Sequence, residues 1–173
     1  MASIGVIGAG TWGTALAVLL SGNGHQVIIW SAIPEEVREL KKTHTHRNLP
    51  DLHIPESIGF TEDLKEAMED RDLLILAVPS VFVRGTAQKM KPYIKKGQVI
   101  TNVAKGIEEN TLMTLSQIIE EELPEAEVTV LSGPSHAEEV GRKLPTTCVI
   151  GAKSKQTALY LQSMFISRVF RVY

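Results

Sequence analysis

Residues 6–17 read VIGAGTWGTALA, and this stretch decides the fold. Its glycines, Gly8, Gly10 and Gly13, stand between a short β-branched run and a helix-like segment, the context that gives G-x-G-x-x-G its meaning. Gly8 permits a tight turn, Gly10 lets the backbone approach a pyrophosphate, and Gly13 lets the helix pack closely on the strand. The helix that begins near Thr11 presents free N–H groups to an anion, with Trp12 expected beside the ligand. The stretch predicts a dinucleotide-binding turn; the alternative is a glycine turn that only packs helix on sheet.

The rest of the chain alternates short apolar runs with longer helix-like segments. Strands are predicted at residues 4–7, 26–30, 73–78, 98–102, 128–132 and 147–151, and helices at 11–21, 61–69 and 111–123. Continuous apolar runs are typical of strands that are buried on both faces. The alternation predicts an α/β fold, a Rossmann-type mostly parallel sheet with helices on both faces. The polar stretch 43–57 is predicted to be a surface loop that lines a site.

Composition sets the broad class of protein. The chain has 173 residues, 43% hydrophobic and 22% charged, which is enough for one domain with a full core. A formal net charge of -2 favours neither nucleic acid nor an anionic membrane as a partner. No apolar run reaches the roughly 18 residues of a spanning helix, and no secretory signal precedes the first strand. With Cys148 as the single cysteine, a cytoplasmic protein without membrane insertion is expected.

The end of the second predicted strand bears on the choice of cofactor. An acidic side chain there binds the ribose hydroxyls of NAD, and an arginine accommodates the 2'-phosphate of NADP. The sequence is Trp30-Ser31-Ala32-Ile33, with neither charge. NADPH should therefore be tolerated, with Ser31 as a candidate hydroxyl contact, and the preferred nicotinamide stays open.

Two later segments also follow predicted strands. Lys105 comes just after the strand 98–102, so its ammonium is expected at the carboxyl edge of the sheet, where a phosphate or a carbonyl would bind. An ordinary solvated lysine is an equal alternative from position alone. Ser135, after the strand 128–132, is a candidate cap for a helix through residues 137–140, and the N-terminus of that helix would make a second anion site.

Four stretches stand in a characteristic order: AVPSVFVR (77–84), NVAKGIEENT (102–111), LSGPSHAEEVGRKLPT (131–146) and FRVY (170–173). Together with GAGTWGTALA (8–17), they resemble the N-terminal domain of the NAD(P)-dependent glycerol-3-phosphate dehydrogenases of bacteria. The resemblance runs from residue 3 to residue 173. KGIE and LSGPSHAEEV are far more specific than the glycine fingerprint, which many unrelated oxidoreductases share.

The resemblance implies roles for particular residues. The lysine that matches Lys105 contacts both the nicotinamide cofactor and glycerol phosphate in the family. Gly133 and Ser135 match substrate contacts, and Ala137 matches a cofactor contact. His136 stands where many relatives have phenylalanine, and it is interpreted as a packing residue.

The resemblance also implies the reaction. Members of the family reduce dihydroxyacetone phosphate to sn-glycerol 3-phosphate with NAD(P)H, reversibly, for glycerophospholipid synthesis, and the full-length form is expected to be a homodimer. The proton-donating lysine of relatives lies in a helical C-terminal domain beyond the position of Tyr173, so no catalytic residue is assigned within this chain. The chain alone is expected to bind NAD(P)H weakly and to turn over slowly or not at all.

Two other functions remain possible at this stage. Another oxidoreductase of the superfamily, such as a ketopantoate reductase or a hydroxyacid dehydrogenase, would share the glycine turn but should lack KGIE and SGPSHAEEV. A non-catalytic nucleotide-binding module would need only the turn.

Several conspicuous residues are interpreted as structural. His44 and His46 are taken as loop residues without a third metal ligand, so no metal site is predicted. The runs EEELPEAE and KMKPYIKK are expected to be solvated, and Cys148 to be a small buried side chain.

Overall fold

Eight strands form one sheet through the middle of the molecule, and the computed structural model describes all residues from 1 to 173. In chain order the strands of the whole structure are β1 (Ser3–Ile7), β2 (Gln26–Trp30), β3 (Thr45–His46), β4 (Leu49–His53), β5 (Gly59–Thr61), β6 (Leu73–Leu76), β7 (Val99–Asn102), β8 (Glu127–Ser132), β9 (Thr146–Gly151) and β10 (Phe170–Val172). The sheet has the order β5-β2-β1-β6-β7-β8-β9-β10, and β3 and β4 form a separate hairpin. The predicted α/β fold is confirmed, and the predicted strands lie within two residues of the observed ones.

Seven helices cover the sheet. They are α1 (Thr11–Gly22), α2 (Pro34–Thr43), α3 (Leu64–Met68), α4 (Val83–Met90), α5 (Leu115–Glu122), α6 (Ala137–Gly141) and α7 (Lys155–Phe165). None of these helices is long and apolar enough to cross a membrane.

Both faces of the sheet are buried, and alternate residues of one strand show this directly. On β6, Leu73 and Ile75 belong to the core under α1 and α7, while Leu74 and Leu76 belong to the core under α4 and α5. All four side chains are fully buried. This explains why the strand has a continuous apolar sequence instead of an alternating one.

Only β8 and β9 are antiparallel; every other neighbouring pair in the sheet is parallel. The segment between them contains only the short helix α6, whereas a return to the opposite edge needs a longer crossover. The chain therefore turns back at the carboxyl edge of β8, and this keeps residues 133–145 close to that edge.

The structure corrects three predicted elements. The helix predicted at 61–69 begins only at Leu64, because Thr61 pairs with Trp30 in the sheet, and Asp63 caps the helix. The helix predicted at 111–123 begins at Leu115, after a capping box formed by Thr114 and Gln117. The stretch 43–57, predicted to be a loop, contains the hairpin β3–β4.

Candidate functional site

The turn between β1 and α1 is shaped by two glycines that tolerate no side chain. Gly8 has a φ of 124°, and a Cβ atom there would lie 2.8 Å from the backbone of Ala77. A Cβ atom on Gly13 would lie 2.2 Å from the carbonyl oxygen of Gly8, so the helix packs directly on the turn. Both structural roles agree with those predicted from the spacing. Gly10 differs, since a Cβ atom there would meet nothing within 4 Å.

The first turn of α1 presents unpaired donors to the cleft. The N–H groups of Gly10, Thr11, Trp12 and Gly13 have no acceptor within the protein. Free N–H groups at a helix start, together with the positive end of the helix dipole, favour a bound anion. This is the geometry that a pyrophosphate needs.

A cleft of about 420 Å³ lies at the carboxyl edge of the sheet, beside this turn. Its volume is in the usual range for a small-molecule site. It is lined by residues from four segments that are distant in the sequence: Gly10, Thr11, Trp12, Ala77, Val78, Pro79, Ser80, Val103, Ala104, Lys105, Ser135, His136, Ala137 and Glu138. The fold thus brings Gly10, Thr11, Trp12, Lys105, Ser135 and Ala137 of the predicted site together. It leaves Ser31 outside this cleft.

Lys105 lies on the loop after β7 and lines the same cleft as the glycine turn. Its Nζ donates a hydrogen bond to the carbonyl oxygen of Gly133 at 2.9 Å, which ties together two segments of the predicted substrate site. An ammonium has three N–H donors, so two remain for a ligand. The loop bends at Gly106, where φ is 118°, a backbone conformation that favours glycine.

The Lys105 loop is held by an arginine that sequence reasoning did not select. Arg84, on α4, donates hydrogen bonds of 2.8 Å to both carboxylate oxygens of Glu108. It also bonds Glu121 and Glu122 on α5. The bonds from Arg84, and then from Thr111, lower the pKa of Glu108 to about 2. The prediction that the EEELPEAE run is solvated is therefore wrong for Glu122, whose side chain is only 15% exposed.

The segment after β8 differs from its predicted local structure. Ser135 does not cap α6; the cap position is His136, and the Ser135 hydroxyl bonds the carbonyl oxygen of Gly133 at 3.4 Å. The helix has only five residues, so it supplies little of the dipole expected for a second anion site. His136 is exposed at the cleft, which corrects its interpretation as a packing residue.

Cys148 lies behind this segment, fully buried as predicted. A Cβ atom on Gly133 would come within 2.9 Å of its Cα, so β9 supports the backbone of the predicted substrate site. Burial raises the pKa of the Cys148 thiol.

A second pocket, of about 250 Å³, follows the end of β2. Ser31 is buried, and its hydroxyl donates a hydrogen bond to a carboxylate oxygen of Glu36, which lies on α2. The sequence showed no acidic group at the end of the strand; the fold supplies one from the next helix. Glu35, Glu36 and Glu39 line this pocket. Glu35 pairs with Arg38 and Glu39 lies 3.9 Å from Arg47, so Glu36 is the one of the three without an arginine partner.

The hairpin β3–β4 contributes a residue that the sequence analysis set aside. His46 is buried in β3, and its Nε2 lies 3.1 Å from the carbonyl oxygen of Ala9 in the glycine turn. Interpreting His46 as a loop residue was wrong. His44 ends α2 in the left-handed conformation and packs edge-on against Phe60. In the sequence, the only sign of the role of His46 was the presence of a histidine in a polar stretch.

The sheet order around β1, and the glycine turn that faces the cleft at the carboxyl edge, define the Rossmann class of α/β domains. The profile of the family described as "NAD-dependent glycerol-3-phosphate dehydrogenase N-terminus" matches residues 3–158. The chain belongs to this family.

Individual relatives agree with this assignment. The chain is 56% identical to a glycerol-3-phosphate dehydrogenase [NAD(P)+] of Agathobacter rectalis and 52% identical to one of Fusobacterium nucleatum, in both cases over 100% of this chain and 52% of the relative. The crystal structure of glycerol-3-phosphate dehydrogenase from Coxiella burnetii superposes with a TM-score of 0.94 at 32% identity, over 99% of this chain and 53% of that one. The chain therefore spans about half the length of the curated relatives it matches.

Proposed function

We propose that this chain is the cofactor-binding part of a glycerol-3-phosphate dehydrogenase that reduces dihydroxyacetone phosphate to sn-glycerol 3-phosphate with NAD(P)H, reversibly, for glycerophospholipid synthesis. The observation that carries the proposal is one cleft that is lined both by free N–H groups at the start of α1 and by Lys105. The family and its relatives support the same activity.

The residues present fit the cofactor. Gly8, Gly10 and Gly13 shape the turn, and Gly10 leaves room for a pyrophosphate where any side chain would intrude. Trp12 and Ala137 both line the cleft and would contact the cofactor there. The bound cofactor supplies the hydride, and the chain supplies binding and orientation.

Reduction of the ketone places the hydride on the carbonyl carbon and a proton on the carbonyl oxygen. Lys105 would hold the substrate through its phosphate or its carbonyl oxygen, with Gly133 and Ser135 completing the substrate contacts. A charge-assisted hydrogen bond of this kind contributes about 1.5–3 kcal/mol. The proton donor is assigned, through the resemblance, to a lysine in the part of the relatives that follows the matched half. The homodimer and the cytoplasmic location belong to the same proposal.

The pocket after β2 bears on cofactor choice. Glu36 has no arginine partner and would repel a 2'-phosphate, while the same carboxylate, bonded to Ser31, could accept a hydrogen bond from a ribose hydroxyl. We therefore expect NADH to bind more tightly than NADPH. Glu36→Gln should reduce the ratio between the dissociation constants of NADPH and NADH, as measured by equilibrium titration with each cofactor.

The direct test measures NADH binding by fluorescence, with and without dihydroxyacetone phosphate. Lys105→Ala should raise the concentration of dihydroxyacetone phosphate needed to change NADH binding by about tenfold or more, because the variant loses a charged contact with the substrate. Lys96→Ala, which removes an exposed lysine away from the cleft, is the matched control. NADH binding that dihydroxyacetone phosphate leaves unchanged in every variant would favour a nucleotide-binding module instead. A response to a different keto acid would favour another oxidoreductase.

A further inference from the structure

The two hydrogen bonds of His46 define the tautomer of its imidazole ring. The backbone N–H of Asn48 lies 3.2 Å from Nδ1 of His46. A backbone N–H can only donate, so Nδ1 is the acceptor and the proton of the neutral ring is on Nε2. Nε2 therefore donates to the carbonyl oxygen of Ala9 at 3.1 Å. Both ring nitrogens are satisfied inside the protein, and the imidazole has one defined orientation.

The carbonyl oxygen of Ala9 is held by a second donor. The hydroxyl of Thr14, in α1, also lies 3.1 Å from it. Ala9 stands between Gly8 and Gly10, and glycine restricts the backbone less than any other residue. Because flexible residues flank it on both sides, the orientation of the Ala9–Gly10 peptide depends on these two hydrogen bonds.

The orientation of this peptide has a direct effect on the cleft. The peptide is trans, so its carbonyl and its N–H point in opposite directions. With the Ala9 carbonyl held toward His46 and Thr14, the N–H of Gly10 points away from them. Gly10 lines the cleft, and its N–H has no acceptor within the protein.

We propose that His46 is a positioning residue for dinucleotide binding, which holds the Ala9–Gly10 peptide so that the Gly10 N–H faces the pyrophosphate. The inference rests on the proposed function, because it assigns His46 to the same cofactor site. It also gives the hairpin β3–β4 a role: the hairpin carries His46 to the turn from 37 residues away.

Two substitutions separate this role from simple packing. The amide nitrogen of a glutamine reaches about as far as Nε2 of histidine, so His46→Gln can keep the donor to Ala9. Asparagine reaches only as far as Nδ1, so His46→Asn loses that donor. We expect His46→Gln to bind NADH within about twofold of the unsubstituted chain and His46→Asn to bind about three- to tenfold more weakly, as one lost hydrogen bond implies. Thr14→Val, which removes the other donor without touching the hairpin, should weaken binding to a similar extent.

A measurement without cofactor checks the same contact. The amide resonance of Gly10 in a ¹⁵N–¹H spectrum should shift in His46→Asn and Thr14→Val and stay near its original position in His46→Gln. Equal NADH affinities for the two His46 variants, or a Gly10 resonance that moves equally in both, would overturn the proposal. If the unsubstituted chain does not bind NADH, the proposed function fails, and the Gly10 resonance still decides whether His46 positions the turn.

Discussion

Alanine at the second and third glycines of the turn should separate stability from binding. In Gly13→Ala the new methyl group would lie 2.2 Å from the carbonyl oxygen of Gly8, so α1 must move by about 1 Å to restore a normal contact. Such overpacking costs about 1–3 kcal/mol or more, and the better helix propensity of alanine returns up to about 1 kcal/mol. We expect a net loss of about 2 kcal/mol, which lowers Tm by about 4–8 °C in a chain of this size.

Gly10→Ala should behave in the opposite way. Its methyl group meets nothing within 4 Å, and the local φ of -63° suits alanine. The unfolding free energy should change by less than about 0.5 kcal/mol, since the loss of a glycine cap and the reduced entropy of the unfolded chain nearly cancel. NADH affinity should fall more than about tenfold, because the methyl group occupies the space through which the pyrophosphate approaches the backbone.

Thermal unfolding and NADH fluorescence titration of the two variants provide the test. Gly22→Ala is the control, because it lies at the far end of α1 and its Cβ atom also meets nothing within 4 Å. Normal NADH binding by Gly10→Ala would show that the turn does not contact the cofactor as argued. A Gly13→Ala protein as stable as the control would refute the close packing of α1 on the turn.

Three further outcomes are expected. Arg84 lowers the pKa of Glu108 to about 2 from an ordinary value of 4.5, so this interaction stabilises the fold above about pH 4.5 and is lost as the pH falls toward 2. Between about pH 5 and about pH 3, the unfolding free energy measured in urea should therefore fall less for Glu108→Gln than for the original chain. Cys148 is fully buried and burial raises its pKa, so the native protein should not react with a thiol reagent that labels the urea-unfolded chain fully. Asn23→Ala removes side-chain hydrogen bonds to the carbonyl oxygens of Met164 and Phe165 and should destabilise the protein by about 1–2 kcal/mol in the same urea assay.

Features that depend on neighbouring residues could be predicted from the sequence. The roles of Gly8 and Gly13 follow from a strand, a turn and a helix within a dozen residues, and their geometry agrees with the prediction. Six of the eight sheet strands were recognisable, because burial on both faces favours continuous apolar runs such as Leu73–Leu76. The short strands β5 and β10 at the two edges of the sheet were not predicted. The position of Lys105 at the cleft followed from the rule that loops at the carboxyl edge face the ligand.

Features that depend on distant contacts could not be predicted in this way. Nothing near His46 indicates that its ring reaches Ala9, because the contact exists only once the hairpin has folded against the turn. Glu122 looks like part of a solvated acidic run until α4 brings Arg84 beside it. Ser135 looks like a helix cap, but the backbone places that position at His136. Local preference was overridden by tertiary packing in each case.

The position of β1 in the sheet has a consequence for the order in which the protein can fold during synthesis. β1 pairs with β2 on one side but with β6 on the other, and β6 begins only at Leu73. Until the ribosome has released that strand, one side of β1 offers unpaired N–H and C=O groups to other chains. Gly8 also lacks its neighbour Ala77 until then. The nascent N-terminal segment therefore carries the nucleotide fingerprint before it can form the site, and it is most prone to aggregation during this interval.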